Sequence, residues 1–307
     1  MTRSGGNYLN YQNFIDFASG QDCVLLQDEP LSRHTTFCLG GAADWYVVPR
    51  TDAAMEQLAS WLQRSDLPFF VLGNGSNILV PDEGYRGVIL CCTNRYAQVS
   101  VRGNALVASA GASLSRVCYT AYAGGLTGLE FAWGIPGSAG GAAYMNAGAY
   151  GGEMKDVISR VWYVEDGRPG CIDRQTCDFS YRHSYFTGKK CVITSVEYQL
   201  QPGETAVIRA KMDDLLGRRY DKQPLDMPSA GSTFKRPVGG YASALIDECG
   251  LRGFKVGGAQ VSEKHCGFVV NAGGATCADV LELIRRVQAI VKEKTGIKLE
   301  REVKILH

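Results

Sequence analysis

Glycines set close together among small polar residues let a phosphate or a planar ring lie against bare peptide groups. This chain has two such stretches. The first is Gly73, Asn74, Gly75, Ser76 and Asn77, where successive backbone N–H groups can point at one anion. The second runs from Gly134 to Gly152 as GIPGSAGGAAYMNAGAYGG, and its large residues are few: Ile135, Tyr144, Met145 and Tyr150. An apolar helix would carry large residues at helical spacing and a core strand would carry β-branched ones. Two readings of the second stretch stay open, a tightly packed set of turns or a bulky ligand lying on the backbone. GNGSN by itself reads as a hairpin as readily as a diphosphate cradle. It is not a dinucleotide fingerprint, because Ile78 takes the third glycine position of GxGxxG and a strand follows rather than a helix. No GxxxxGK[ST] occurs, which excludes a P-loop.

Composition narrows the classes. The 307 residues are enough for about two domains, each with its own core. With 45% hydrophobic and 21% charged residues the chain is globular, and its net charge of +1 argues against a nucleic-acid partner, which needs a surplus of cations. No apolar run is long enough to span a bilayer, and the N-terminal residues lack the apolar core of a signal peptide, so no membrane partner and a cytoplasmic location are expected. The eleven cysteines form no CxxC pair and sit in apolar runs such as Val88–Cys92, the pattern of small buried hydrophobes in a reducing compartment. Four histidines without metal-ligand spacing give no structural metal site, and His34 reads as a surface histidine at a turn.

The elements that must hold these stretches follow from periodicity. Met1–Leu31 reads as a lead-in with one short helix, Tyr11–Ser19. A strand at Trp45–Val48 is followed by a helix capped by Asp52, with Met55, Leu58, Ala59 and Leu62 on one face. Strands flank the GNGSN loop, and alternating strands occupy Tyr96–Ala110. Ser113 caps a helix that ends near Gly124–Gly125, and further strands lie at Val157–Val164 and Val192–Leu200. Past a break at Gln201–Gly203, helical spacing appears at Val207, Met212 and Leu215–Leu216. Thr276 and Asp279 form a capping box for a last helix stopped at Gly296. The pattern is that of an α+β fold, divided into a lead-in 1–32, a domain 33–200 and a domain 201–307.

Several motifs together go further. TTFCLGGAAD ending at Asp44, GNGSNILV, GIPGSAGGAAYMNAGAYGGE, YRHSYF at Tyr181–Phe186, QPLDMPSAGSTFKRP at Gln223–Pro237, GLRGFKVGGAQVSEKHCGFVVNAGGAT at Gly250–Thr276 and LEREV at Leu299–Val303 stand in one order. In this set the chain resembles the UDP-N-acetylenolpyruvoylglucosamine reductase family, from about Arg33 to its end. The resemblance implies FAD, held without a covalent bond by a two-subdomain FAD-binding domain of the vanillyl-alcohol-oxidase-like type, with a C-terminal α+β substrate-binding domain. It also implies NADPH as co-substrate, binding first and leaving before the UDP-sugar enters. Cofactor contacts are expected from Gly73, Asn74, Gly75, Ser76, Asn77, Gly134, Ile135, Pro136, Gly137, Ser138, Gly140, Gly141, Ala142, Asn146, Gly148 and Tyr150, with Tyr144 less strongly indicated.

The implied reaction reduces an enolpyruvyl ether to a lactyl ether. Hydride addition to the methylene carbon builds negative charge beside a carboxylate, so a fixed cation and a proton source are required. Arg182 matches the family's arginine, Ser232 its proton donor and Glu302 its catalytic glutamate. Taken singly they would read as a structural arginine, a turn serine and an outward strand residue, as Glu300 does. Lys235, Arg236, Lys264 and Arg219 are candidates for the substrate diphosphate, and each reads equally as a surface charge. The segment between YRHSYF and SAGSTFKRP is short, as in the class of the family that lacks a tyrosine-loop insertion. No residue is therefore assigned to closing the site over the UDP moiety, and nothing in the sequence sets the oligomeric state. The rival readings are a flavin oxidase on the same fold and a silent nucleotide-sugar binder.

Overall fold

The computed structural model describes residues 5–92 and 97–307. Met1–Ser4 of the expected lead-in and Tyr96, where the alternating strands were expected to begin, lie outside them. The chain forms two compact units, one of Met1–Gln27, Trp45–Asn74 and Gly87–Leu216, the other of Asp28–Asp44, Gly75–Arg86 and Gly217–His307.

The first unit is built on a five-stranded antiparallel sheet in the order Arg168–Asp173, Ile158–Glu165, Val192–Gln199, Ala105–Ser109, Val99–Arg102. From Thr194 on, the central strand alternates: Thr194, Val196 and Tyr198 are buried, while Ser195, Glu197 and Gln199 turn outward. Val196 faces Val161 on one side and Ala108 on the other. The helix Leu114–Ala123 adds Leu114, Val117, Cys118 and Ala121 to the same core. Its expected cap is present, with Ser113 Oγ accepting from Arg116 N at 3.3 Å.

A second cluster joins Phe14 and Ala18 to Val47, Val88, Leu90 and the helix Asp52–Arg64. That helix is capped by Thr51, whose hydroxyl accepts from Ala54 N at 3.1 Å, one residue before the expected Asp52. Thr51 keeps extended backbone, and Asp52 is already helical with its carboxylate accepting from Ser109 Oγ at 3.2 Å. The lead-in is also more structured than expected: the helix Gly5–Ser19 is followed by a strand, Cys23–Pro30, at the edge of a four-stranded sheet.

The second unit has a four-stranded antiparallel sheet in the order Ser229–Ser232, Phe268–Asn271, Ala259–Val261, Lys255–Val256. The helix Cys277–Thr295 covers it with Val280, Leu283, Ile284, Val287 and Val291. Thr276 and Asp279 make the expected capping box, and Gly296 ends the helix in the left-handed conformation (φ 75°). Two early segments belong here because Phe37, Leu39 and Leu79 bury themselves in this core, and because Ile78–Leu79 pairs in parallel with Lys304–Ile305.

The break at Gln201–Gly203 is not where the units divide. The helix Thr205–Lys222 sends Ile208 and Met212 into the core of the first unit, which ends only at Leu216. Val207, expected on its inner face, is 62% exposed and Ile208 takes its place. The strand Arg168–Asp173 and the helix Ala242–Glu248 escaped the sequence reading. The strand is an exposed edge with a proline and a glycine in it, so it has little apolar alternation to detect. All eleven cysteines are free thiols, most of them buried, with Cys38 and Cys171 exposed. Burial pushes the Cys177 thiol up to about 12.

Asp82 ties an early segment to the last helix, its carboxylate accepting from Cys277 N at 2.7 Å and Ala278 N at 3.0 Å. Asp82→Ala should cost about 1–2 kcal/mol, the range of a lost N-cap, read as a lower midpoint of chemical unfolding. Asp279 accepts from the N–H groups of Thr276 and Gly258, which hold its carboxyl below the usual range. A depressed folded-state value gives stability that is complete above the unfolded value of about 3.9 and disappears as pH falls through the folded one. Asp279→Asn should therefore flatten the acid limb of the stability curve.

Candidate active site

In the first unit the strand Phe69–Leu72 delivers Gly73 and Asn74 against the segment 134–138. Asn74 Nδ2 donates to Pro136 O at 3.1 Å, and a Cβ on Gly73 would lie 2.5 Å from Ser138 Oγ. Gly134 follows Trp133 with φ 83°, and Ile135 N returns to Ala132 O at 3.0 Å, which turns the chain into this loop. Ser138 then caps a helix the sequence did not announce, Ala139–Met145. Its first N–H groups are spent inside the protein: Ala139 N on Ala112 O and Gly140 N on Ala110 O, both at 2.8 Å, and Gly141 N on Ser138 Oγ at 3.2 Å.

Most of the glycines here answer to packing. A Cβ on Gly140 would lie 2.7 Å from Ala110 Cβ, on Gly148 2.7 Å from Gly152 O, and on Gly152 2.6 Å from the Phe131 ring. Tight protein packing thus accounts for much of the stretch. Ala142 is buried, Gly141 and Tyr150 are exposed, and Tyr150 has a left-handed backbone (φ 52°). Asn146 is 1% exposed and uses its amide on the protein, donating to Glu153 Oε2 and Ser180 O and accepting from Lys155 N, each at 2.9 Å. Its side chain clamps the turn that carries Arg182.

That turn is tight. Ser180 and His183 exchange backbone hydrogen bonds of 3.2 and 3.1 Å, leaving Tyr181 and Arg182 at its tip. Arg182 has φ 55°, the conformation that favours glycine at the third position of a type II turn. A side chain there costs about 1–2 kcal/mol. Its guanidinium carbon lies 5.1 Å from the Tyr181 ring centroid. Among the influences holding the Glu153 carboxyl below its usual range, the Lys155 ammonium comes first and the Arg182 charge is a lesser one.

In the second unit Ser232 closes the strand Ser229–Ser232, opposite Phe268, while Ser229 lies opposite Val270. One extra residue stands between these pairs, a bulge made by Ala230 and Gly231, with Gly231 left-handed at φ 73°. Residues 233–235 then pair with 300–302: Glu302 N donates to Thr233 O and Lys235 N to Glu300 O, both at 2.8 Å. The register makes Glu302 buried at 7% exposure and leaves Glu300 outside. Asn77 joins them, its amide reaching Glu302 O at 3.5 Å and its carbonyl accepting from Lys304 N at 3.0 Å. The structure thus brings Ser232, Glu302 and Asn77 together in one unit, and Arg182 belongs to the other.

Residues 223–306 match the UDP-N-acetylenolpyruvoylglucosamine reductase C-terminal domain, and residues 43–167 match an FAD binding domain. The UDP-N-acetylenolpyruvoylglucosamine reductase of Caldanaerobacter subterraneus subsp. tengcongensis is 47% identical over 283 residues, covering 92% of this chain and 93% of that protein. The chain belongs to the UDP-N-acetylenolpyruvoylglucosamine reductase family. The reductase of Clostridioides difficile is 43% identical over 297 residues, covering 96% and 97% of the two chains. The crystal structure of the Thermus caldophilus reductase superposes with a TM-score of 0.79 at 33% identity, covering 93% of this chain and 99% of that one.

As a member of this reductase family the chain is a flavin oxidoreductase with an FAD-binding domain. Its residues fit that cofactor. Among the described residues the N–H groups of Gly73, Asn74, Gly75 and Ser76 donate to no protein acceptor, and Gly75 is left-handed at φ 60°. Trp133 Nε1 is likewise buried without a protein partner, a donor beside the loop 134–138. Around Gly231 a Cβ would find no atom nearer than Ser76 O at 4.0 Å.

The candidate cations are engaged with protein groups. Lys235 pairs with Glu300, Lys264 donates to Tyr220 O, and Arg219 is buried with Nη1 on Gln223 Oε1 at 3.3 Å. Arg236 lies over the exposed Tyr241 ring at 4.5 Å. His34 is no bare surface group, because Nε2 meets Glu29 Oε1 at 2.9 Å. A cavity of about 600 Å³ lined by Phe17, Glu56, Trp61 and Asp66 holds none of these residues.

Gly231→Ala tests the bulge. The left-handed position should make it costly by about 1–2 kcal/mol, and the altered aim of Ser232 should lower turnover. Thermal midpoints and steady-state rates would show both.

Proposed function

We propose that this protein catalyses the NADPH-dependent reduction of UDP-N-acetyl-3-O-(1-carboxyvinyl)-glucosamine to UDP-N-acetylmuramate, a step of peptidoglycan precursor synthesis, in the cytoplasm. FAD supplies the redox step when bound, taking a hydride equivalent from NADPH and delivering it to the substrate methylene carbon. The observation that supports this reading is the pairing of 233–235 with 300–302, which buries Glu302 on the strand opposite Thr233, one residue beyond the serine that ends the glycine bulge. Among the described residues no helix is long and apolar enough to cross a membrane.

Each side chain then has one task. Arg182 holds the substrate carboxylate with a permanent charge, which lowers the cost of the electron density that gathers beside it. Ser232 gives its hydroxyl proton to the carbon that bears the carboxylate; a weak acid suffices because that carbon is strongly basic at the moment of transfer. Glu302, inside the fold rather than in water, polarises the same centre together with Arg182. The unpaired N–H groups of Gly73–Ser76 hold phosphate oxygens of the cofactor. Lys235, Arg236 and Lys264 remain the candidates for the substrate diphosphate, because planar guanidinium and ammonium groups pair with phosphate oxygens.

The purified protein should be yellow, bleach on NADPH and regain its colour on addition of the enolpyruvyl sugar; rapid reoxidation by air without response to that sugar would support an oxidase instead. Ser232→Ala should leave bleaching by NADPH nearly intact and slow the return of colour by two orders of magnitude or more, about 3 kcal/mol, and stopped-flow absorbance separates the halves. Glu302→Gln should show the same selectivity. Arg182→Gly removes a strained side chain from its turn, so it should keep or raise the thermal midpoint while turnover collapses; a loss of both would make Arg182 a structural residue.

A further inference from the structure

We infer that Thr36 is a positioning residue for the proton donor, clamping the strand that ends at Ser232 to the glycine loop that precedes Asn77. The inference rests on the reading of Ser232 as proton donor and adds a residue to it. Both backbone polar groups of Ser229 engage Thr36: Thr36 Oγ1 donates to Ser229 O at 2.6 Å, and Ser229 N donates to Thr36 O at 3.0 Å. The N–H of Thr36 reaches in turn to Gly75 O at 3.4 Å. One threonine therefore touches the loop whose N–H groups are left for a phosphate and the residue at which the bulge begins.

The position of that clamp gives it leverage. On its other side Ser229 lies opposite Val270, and the next regular pair is Ser232 with Phe268. Between them Ala230 and the left-handed Gly231 form the extra residue, and open space around Gly231 means that side-chain packing does not fix its angle. A bulge takes its direction from the paired residues at its two ends. The far end is fixed by Thr233, which donates its N–H to Gly267 O at 2.8 Å and accepts from Val269 N on its hydroxyl at 3.0 Å. The near end is fixed by Thr36. Without the Thr36 hydroxyl, Ser229 keeps its N–H bond to Thr36 O and the strand its bond from Asn271 N to Pro228 O at 2.9 Å, but the carbonyl that enters the bulge loses its only donor on the Thr36 side.

Misplacing a reacting group by about 1 Å can cost roughly 100-fold in rate. Thr36→Val keeps the shape of the side chain and removes only the hydroxyl. It should slow reoxidation of the reduced holoenzyme by the enolpyruvyl sugar about 10- to 100-fold, with flavin reduction by NADPH changed less than about twofold. Thr36→Ser, which restores the donor without the methyl group, should recover most of the loss. In the Ser232→Ala background Thr36→Val should add nothing, because its effect passes through that hydroxyl. Equal slowing of the two halves, failure of serine to rescue, or a full additional loss in the double variant would each overturn the inference. A Ser232→Ala protein with normal reoxidation would instead remove the reading on which it rests, and the single variant alone distinguishes that case.

Discussion

The antiparallel meeting of residues 233–235 with 300–302 is the contact that sets the register at the end of the second unit. Its backbone bonds are few, Glu302 N to Thr233 O and Lys235 N to Glu300 O, but they decide which glutamate is inside. Side chains in a strand alternate between faces, so a slip by one residue would exchange Glu302 for a neighbour and turn the buried carboxylate out to water. Register here is protected from both directions. Leu299 and Val303 are buried in the core with Val280 and Leu283, and Lys304–Ile305 pairs with Ile78–Leu79 immediately afterwards.

Glycine does two different jobs in this chain. At positions 140, 148 and 152 it is needed because other protein atoms occupy the space a methyl group would fill. At 231 there is no such crowding, and what matters is a left-handed backbone that inserts one residue into the sheet. Gly75 combines both, being left-handed and within 2.3 Å, for a Cβ, of His34 O. Crowding at the first group makes a rigid floor, which a cofactor site requires, since a floor that yields would not hold a ring in one orientation. At these three positions the packing of the protein on itself is reason enough for glycine.

This explains how much was legible beforehand. Helices with a polar cap and a regular apolar face, such as Leu114–Ala123 and Cys277–Thr295, are written locally and were read with their ends nearly correct. The helix Ala139–Met145 was not, because alanines and glycines give no periodic signal and its burial depends on Ala110 and Ala112 from elsewhere in the chain. The division into units was also hidden. Hydrophobic residues such as Phe37 and Leu79 look alike whichever core they join, and only the fold decides that they pack with Val280. Among site residues, the motif containing Thr36 was visible, but its bond to Ser229 depends on contacts remote in sequence. The structural partners of the Asn146 side chain, Glu153, Ser180 and Lys155, are likewise invisible in a glycine-rich sequence.

The backbone of Arg182 is left-handed, which is uncommon for a residue with a side chain. A turn between Ser180 and His183 would be most easily made with glycine at its third position, and the chain has arginine there instead. Ser180 and His183 close the turn with backbone-to-backbone bonds, and the Asn146 amide on Ser180 O holds it from outside. A strained residue persists only where its surroundings over-determine it, and here Asn146, itself fixed by Glu153 and Lys155, supplies that constraint. The turn fixes the direction of the Arg182 Cα–Cβ bond and so the region its guanidinium can reach. In the role proposed for Arg182, a cation confined to that region reorganises less when negative charge develops in the transition state.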